Sequence, residues 1–123
     1  MAKVLVVDDV RELAETTAEL LEALGHEARV AYDGRQAFEL ARVFEPHVVF
    51  MDLDMPVLGG LEAAKLIRAR IPAPPYLVAI TAGARRGMEE ESRDAGFDQF
   101  LAKPTDVDVL LSIVETAVAR QGR

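Results

Sequence analysis

The 123-residue chain contains no cysteine, so neither a disulfide framework nor a thiolate-ligated metal site can form. No apolar run approaches the roughly 18 residues that a membrane-spanning helix needs. The N-terminus also lacks the basic region and apolar core of a signal peptide. We therefore expect a cytoplasmic protein with no membrane partner.

Positive charge is scarce, with 14 lysine and arginine residues against 21 aspartate and glutamate residues and a formal net charge of −7. This balance argues against direct nucleic-acid binding and favours a partner with basic groups or a bound cation. Half of the residues are hydrophobic and 28% are charged, which is typical of a globular chain. We expect one domain over residues 1–123, with a core at about residues 3–119.

Short apolar runs alternate with helical patterns along the whole chain. Such runs, bounded by turn residues, are typical of buried strands, and apolar residues three and four apart are typical of helices. Five β/α pairs in one domain predict an α/β fold whose parallel sheet carries helices on both faces. The predicted strands are Val4–Val7, Ala28–Tyr32, His47–Met51, Leu77–Ile80 and Phe97–Ala102, and the predicted helices are Arg11–Leu24, 34–45, Leu61–Arg70, Arg85–Ala95 and Thr105–Ala119.

Helix ends carry recognisable capping residues. Asp9 with Glu12 fits the N-cap spacing of the first helix, and Gly25 follows that helix where a C-cap favours glycine. Asp33 with Gln36 forms a similar N-terminal signal for the second helix. The apolar residues that define the helical pattern are Leu13, Leu20, Leu21 and Leu24 in the first helix, and Met88 and Ala95 in the unusually polar fourth helix.

Side chains able to bind a ligand follow four of the five predicted strands. They are Asp8 and Asp9 after the first, Asp52 and Asp54 after the third, Thr81 after the fourth and Lys103 after the fifth. In an open parallel sheet, ligands bind beyond the carboxyl ends of the strands, where the strand order reverses. With the order 2-1-3-4-5, that point lies between strands one and three, so the carboxylates share one crevice. Lys103 starts two strands away, roughly 10 Å, and has to lean back over it.

Three clustered carboxylates need a positive partner. At an effective dielectric of about 20, two of them about 4 Å apart repel by a few kcal/mol. A hard divalent cation suits this donor set, with Mg²⁺ as the first choice and Mn²⁺ as its substitute. Lys103 and the Thr81 hydroxyl then face a phosphoryl group.

Four motifs in this order resemble the receiver domain of two-component response regulators, end to end. They are "DD" after strand one, "MDLDMPVLGG" after strand three, "ITA" after strand four and "FLAKP" after strand five. The resemblance implies a flavodoxin-like, doubly wound (βα)5 fold with strand order 2-1-3-4-5. It also implies a signalling module that is not an enzyme, apart from its own phosphorylation and slow autodephosphorylation. The phosphoryl donor is a histidine kinase or a histidine phosphotransfer protein, and the face of helix 4, strand 5 and helix 5 switches in response.

The resemblance also implies a role for each site residue. Asp52 is the phosphoacceptor, and Mg²⁺ binds to Asp8, Asp9, Asp52 and the backbone carbonyl of Asp54. Thr81 and Lys103 contact the phosphoryl oxygens, Thr81 and Phe100 form the switch, Asp54 and Gly83 tune hydrolysis, and Lys103-Pro104 is a cis peptide bond. The sequence departs from the family at Gly59-Gly60, where an acidic or polar residue usually precedes the glycine.

Two other functions fit parts of the sequence. The segment "VVFMDLDMPVL" resembles the nucleophile strand of haloacid-dehalogenase-like phosphatases, but there that strand comes first, whereas here the acidic pair opens the chain. A pseudo-receiver used only for binding is the other alternative. The residues do not distinguish a stand-alone regulator from a piece of a hybrid histidine kinase or larger regulator. Nor do they separate a monomer from a weak dimer through helix 4, strand 5 and helix 5, or identify the downstream protein target or attached domain.

Overall fold

The structure, a computed structural model, describes residues 1–121. Residues 122–123, which belong to the expected domain, lie outside the described residues. Five parallel strands form one sheet of order β2-β1-β3-β4-β5, and five helices connect and follow them, as the sequence predicts. The elements are β1 (Lys3–Val7), α1 (Arg11–Ala23), β2 (Glu27–Ala31), α2 (Gly34–Phe44), β3 (Val48–Asp52), α3 (Gly60–Arg70), β4 (Tyr76–Thr81), α4 (Met88–Ala95), β5 (Gln99–Ala102) and α5 (Val107–Gln121).

The sheet is buried on both faces because its central strands are apolar at consecutive positions. All five residues of β3 are buried, and Val4 to Val7 of β1 are buried beside them. Alternate side chains point to opposite faces, so β1 and β3 contribute to two separate cores. One core packs against α2, α3 and α4, and the other against α1 and α5. No helix within residues 1–121 combines the length and the apolar content that a bilayer crossing requires.

Helix α1 packs on the sheet through a different face from the one that its leucines indicate. Only Leu21 among these leucines is buried, and the other buried residues of the helix are Ala14 and Ala18. Two alanines allow the helix backbone to approach the sheet closely, so the longer leucines project past that contact. Leu13, Leu20 and Leu24 are 42%, 42% and 48% exposed.

The predicted start of the fourth helix at Arg85 is wrong. Helix α4 begins at Met88, after Gly87 with a φ of +84°, and residues 82–87 form an exposed loop. The left-handed backbone of Gly87 interrupts helical geometry, which explains the later start. The buried residues of α4 include Met88 and Ala95, the two apolar residues of its sequence pattern.

The capping predictions have mixed outcomes. Asp33 is the N-cap of α2, where its carboxylate accepts a hydrogen bond from the Gln36 backbone, and Gly25 follows α1 with a φ of +97°. The predicted cap by Asp9 is wrong, because Val10 is the N-cap of α1 and provides no side-chain bond. Instead Asp8 accepts a hydrogen bond from the Val10 backbone N–H at 3.0 Å. Asp9 is therefore not engaged in capping.

Candidate functional site

The carboxylates predicted to cluster do so at the carboxyl edge of the sheet. Strands β1 and β3 pair with Val7 opposite Met51, so Asp8 and Asp52 leave the sheet side by side. The Asp8 backbone N–H also donates to the Ala31 carbonyl at 3.1 Å, which extends the pairing with β2 by one residue. Oxygen atoms of Asp8, Asp9 and Asp52 all lie within 4.8 Å of one another. This is the crevice that the strand order predicts.

The three carboxylates differ in exposure. Asp8 is 5% exposed and Asp52 is 8% exposed, whereas the Asp9 side chain is open to solvent. The Asp8 carboxylate is fixed by the Val10 backbone, and Asp52 accepts a long hydrogen bond of 3.4 Å from the Asp54 backbone N–H. The site therefore has two oriented carboxylates on a rigid sheet edge and one more adaptable carboxylate at its rim.

Lys103 leans over the site, as expected, and supplies its positive charge. Its Nζ lies 2.8 Å from Oδ2 of Asp8 and 4.0 Å from Oδ2 of Asp52. The backbone N–H of Lys103 donates to the Thr81 carbonyl at 2.9 Å, which ties the end of β5 to the end of β4. The peptide bond between Lys103 and Pro104 is cis. The Lys103 ammonium group thus reaches from the end of β5, across two strands, to the Asp8 carboxylate.

The pKa values of Asp52 and Lys103 are both raised. Burial raises the pKa of the Asp52 carboxyl from 3.8 to about 6, although the Lys103 charge opposes this, and the charges of Asp8 and Asp9 add to the rise. Burial acts to lower the pKa of Lys103, but its hydrogen bond with Asp8 and the nearby carboxylate charges outweigh that effect. Near neutral pH, Asp52 is therefore a mostly ionised carboxylate held at an energetic cost, and perturbed carboxylates of this kind are common at functional sites.

The other predicted residues surround this centre at different depths. Thr81 is fully buried, and its Oγ1 accepts a hydrogen bond from the Gly83 backbone N–H at 3.2 Å. Asp54 and Gly83 are both exposed and lie at the rim. Phe100 is half-buried and packs against the core beneath α2, α3 and α4. The Thr81 side chain is therefore buried, the Phe100 side chain is half-buried against the core, and the Asp54 carboxylate lies at the surface.

Two residues near the site were not given a role by the sequence analysis, namely Gly60 at the start of α3 and Val57 in the loop before it. A Cβ on Gly60 would lie 2.5 Å from the Asp52 carbonyl oxygen, so only glycine allows α3 to start this close to the Asp52 backbone. Val57 has a φ of +69° and is 82% exposed. This conformation is strained for a β-branched residue. The paired glycines were a signal for the first feature, whereas nothing in the sequence indicated the second.

A surface cavity of about 480 Å³ opens between α1 and α5 and reaches the carboxylates. Its walls are mainly apolar, and they include Leu13 and Leu110, while Asp8, Asp52 and Lys103 line its inner end. Beside it, α1 exposes an apolar row that we term the α1 stripe, defined as Val10, Leu13, Leu20 and Leu24, each at least 42% exposed. Apolar surface therefore continues from the site along α1.

Comparisons with a family model and with known proteins point to the same family. A sequence model of the family described as "Response regulator receiver domain" matches residues 4–115. Transcriptional regulatory protein PdtaR of Mycobacterium tuberculosis is 37% identical over 119 residues, which cover 96% of this chain and 57% of PdtaR. The chain thus spans little more than half the length of that relative.

Solved structures agree with the family model. The receiver domain of Francisella response regulator 1452 has a TM-score of 0.88 and 28% identity, covering 98% of this chain and 99% of that chain. A co-crystal structure of the Saccharomyces cerevisiae histidine phosphotransfer signaling protein Ypd1 with the receiver domain of its downstream response regulator Ssk1 also matches. There the TM-score is 0.86 and the identity 27%, covering 98% of this chain and 90% of that chain. The chain belongs to the response regulator receiver domains of two-component systems.

Proposed function

We propose that Asp52 accepts a phosphoryl group from a phosphohistidine on a histidine kinase or a histidine phosphotransfer protein. The observation that carries the proposal is a buried carboxylate, 8% exposed, that clusters with Asp8 and Asp9 and lies 4.0 Å from the Lys103 ammonium. In the reaction, a carboxylate oxygen of Asp52 forms a bond to phosphorus as the bond from phosphorus to the histidine nitrogen breaks. The released imidazole takes a proton from solvent.

The acidic cluster fits the divalent cation that this family uses. Three carboxylates with oxygen atoms within 4.8 Å of one another form a hard, anionic donor set. Asp8, Asp9, Asp52 and the backbone carbonyl of Asp54 would hold Mg²⁺ or Mn²⁺. When bound, the cation neutralises charge on the phosphoryl oxygens.

Lys103 and Thr81 complete the binding of the transferred group. The Lys103 Nζ bonds Asp8 and lies 4.0 Å from Oδ2 of Asp52, so a short movement away from Asp8 brings it to a phosphoryl oxygen. The Thr81 hydroxyl, which accepts a bond from Gly83, keeps its own proton free to donate to another phosphoryl oxygen. Water reaches the phosphoryl group from the exposed side, where Asp54 and Gly83 tune its access and hence the lifetime of the phosphorylated state.

The α1 stripe is the surface that the donor contacts. It adjoins the cavity that ends at Asp52, so a helix lying along α1 places its phosphohistidine near the nucleophile. Except for Arg11, the charged residues of α1 are acidic, namely Glu12, Glu15, Glu19 and Glu22. A donor helix with an apolar edge and basic flanks complements this surface.

The output is a change at the face made of α4, β5 and α5. Phosphorylation draws the Thr81 hydroxyl toward the new oxygens, and Phe100 on the neighbouring strand turns into the vacated space. Ala79 pairs with Phe100 and Thr81 with Ala102, so the two switch residues lie on adjacent strands. A downstream protein or an attached domain then reads this face.

Labelling with acetyl phosphate and Mg²⁺ tests the proposal. Intact-mass measurement is expected to show one added phosphoryl group on the wild type and none on Asp52→Asn. Asp94→Asn, which removes an exposed carboxylate from α4, serves as the matched control and is expected to label normally. An unlabelled wild type would contradict the proposal and favour a binding-only pseudo-receiver, and turnover of p-nitrophenyl phosphate would favour a phosphatase.

A further inference from the structure

The two ends of α4 are attached to the rest of the molecule in different ways. At the C-terminal end, Arg68 of α3 donates from Nε to the Gly96 carbonyl at 2.8 Å and from Nη2 to Oδ2 of Asp98 at 2.5 Å. The same Asp98 oxygen accepts a hydrogen bond from the Leu77 backbone N–H at 2.8 Å. We call Arg68, Gly96 and Asp98 the Arg68 clamp, because it joins α3, the turn after α4 and the start of β4.

The turn within the clamp is also packed tightly. Gly96 has a φ of +113°, and a Cβ there would lie 2.7 Å from Cγ of Arg68, so the arginine stem rests directly on the turn. The next residue, Phe97, is 4% exposed and donates its backbone N–H to the Ser92 carbonyl. Residues 96–98 are therefore held in place by backbone hydrogen bonds, by the buried ring of Phe97 and by the half-buried ion pair between Arg68 and Asp98.

The N-terminal end of α4 has much weaker attachments. It follows the exposed loop at 82–87, begins after Gly87 and has no side-chain N-cap. Met88 is its only buried residue in the first turn. The ion pair between Arg85 and Glu91 joins two side chains that are 61% and 49% exposed, and such surface pairs contribute little. The loop starts directly after Thr81, so this weakly held end is also the end nearest the phosphoacceptor.

We propose that α4 pivots about the Arg68 clamp, and that Arg68 is a positioning residue for the output face. A displacement at Thr81 moves the loop at 82–87 and with it the first turn of α4, while Gly96 and Asp98 stay in place. The result is a tilt of α4 and not a translation, because one end is fixed by charge-assisted bonds and the other by one apolar side chain. The displacement at Thr81 that starts this movement rests on the proposed phosphorylation of Asp52, whereas the Arg68 clamp itself does not.

Hydrogen exchange in the unphosphorylated chain tests the clamp directly. In the wild type, the amides of Phe97 and Asp98 are expected to exchange at least about tenfold more slowly than that of Glu91. Arg68→Gln removes the ion pair and is expected to raise exchange at Phe97 and Asp98 by about tenfold. Arg70→Gln, on the same helix but exposed, is the matched control and is expected to leave these rates unchanged.

A second variant helps to distinguish a local loss of the Arg68 clamp from a general loss of stability. Arg68→Lys keeps the charge and most of the stem but lacks the planar fork that bonds Gly96 from Nε and Asp98 from Nη2, so its exchange rates are expected to lie between those of the wild type and Arg68→Gln. If Arg68→Gln raised exchange equally in β1 and β3, the effect would be global and the clamp would be rejected. Equal wild-type exchange at both ends of α4 would also reject it.

Amide chemical shifts with beryllofluoride and Mg²⁺ test the pivot. In the wild type, shift changes are expected to be large over residues 84–91 and small over residues 96–98. In Arg68→Gln they are expected to spread to residues 96–98. Uniform changes along α4 in the wild type, or an unchanged gradient in Arg68→Gln, would overturn the pivot. A chain whose Asp52 takes no phosphoryl group overturns the proposed function instead, and the exchange gradient still decides the clamp.

Discussion

Asp52 combines two requirements that oppose each other in a folded protein. As the proposed phosphoacceptor, Asp52 must be ionised to attack phosphorus, yet burial on the sheet edge raises its pKa to about 6. The hydrogen bond from the Asp54 backbone and the charge of Lys103 recover only part of the lost solvation. The cation-free site is therefore under electrostatic stress at neutral pH, and that stress has a measurable effect on folding.

We expect Asp52→Asn to unfold at a higher urea concentration than the wild type at pH 7 in buffer with a chelator. The pKa of Asp52 is 3.8 in the unfolded chain and about 6 in the folded chain. Between these two pH values the folded chain binds more protons than the unfolded chain, so the free energy of unfolding falls as the pH rises toward 6. A shift of this size corresponds to at most ~3 kcal/mol. After solvent screening, we expect a gain of about 1–2 kcal/mol for Asp52→Asn at pH 7.

The pH dependence separates this effect from other consequences of the substitution. The difference between Asp52→Asn and the wild type should shrink on going from pH 7 to pH 4, because the wild-type carboxyl becomes protonated. Asp94→Asn, an exposed change of the same charge, should show no such pH-dependent gain. A difference that stays constant across this range would contradict the explanation.

The strained backbone at Val57 provides a second expectation at the residue scale. Its φ of +69° is in the left-handed region, which costs a β-branched residue roughly 1–2 kcal/mol, whereas asparagine tolerates it. Val57→Asn should therefore raise the free energy of unfolding by about 1 kcal/mol in a urea titration. Val43→Asn, which replaces an exposed valine in regular α2, should give no gain. Equal effects of the two substitutions would show that strain is not the cause.

Residues at strand ends were predictable because their position follows from sheet geometry. Apolar runs locate the strands, and the residue after each run must lie at the same edge, so the strand order 2-1-3-4-5 is enough to bring Asp8, Asp52 and Lys103 together. Whether Asp8 or Asp9 bonds the start of α1 depends on turn geometry that spacing alone does not define. The conformation of Val57 has no local sequence signal. Neither the hydrogen bond at the start of α1 nor the Val57 conformation could therefore be predicted from the sequence, because each depends on the local backbone geometry.

At the element scale, α1 shows how a sequence pattern can identify a helix and still misassign its faces. Leucine spacing located the helix correctly, but the small residues Ala14 and Ala18 pack on the sheet with Leu21. Periodicity records where apolar residues lie and does not record which face reaches the sheet most closely. Burying alanines leaves the α1 stripe free for a partner.

Leu20→Asp tests this use of the α1 stripe. Leu20 is 42% exposed, so the substitution should leave folding intact while it removes an apolar contact and adds a charge. Phosphotransfer from a histidine kinase that labels the wild type should slow by about tenfold or more, equivalent to ~1.4 kcal/mol. Labelling by acetyl phosphate should be unchanged, because a small donor does not contact α1.

A matched control uses another exposed apolar residue. Val43 lies on α2 and is 71% exposed, so Val43→Asp makes the same chemical change away from the α1 stripe. It should affect neither donor. Equal kinase rates for Leu20→Asp and the wild type would exclude the α1 stripe as the contact surface, and a parallel loss with acetyl phosphate would point to damage at Asp52 itself.

At the scale of the whole molecule, the strand order decides which charges meet. Because β1 lies between β2 and β3, the acidic pair from the start of the chain faces Asp52 from its middle, and β4 and β5 bring in Thr81 and Lys103. The order was predicted through the resemblance to receiver domains, because handedness alone leaves more than one order open for alternating β/α units. The start of α4 could not be predicted, because few apolar residues define the helix and the left-handed backbone of Gly87 sets where it begins.

Collecting carboxylates at one edge couples cation binding to the stability of the whole fold. The unfolded chain disperses Asp8, Asp9 and Asp52, so a cation that binds the cluster stabilises only the folded state. At Mg²⁺ ten times above its dissociation constant, stabilisation should be ~1.4 kcal/mol, observed as a rise in the unfolding midpoint. Asp8→Asn should lose most of this rise, and NaCl at equal ionic strength should not reproduce it. A similar rise in Asp8→Asn would mean that Mg²⁺ acts on the acidic surface in general, since screening or binding elsewhere would not require the buried carboxylate.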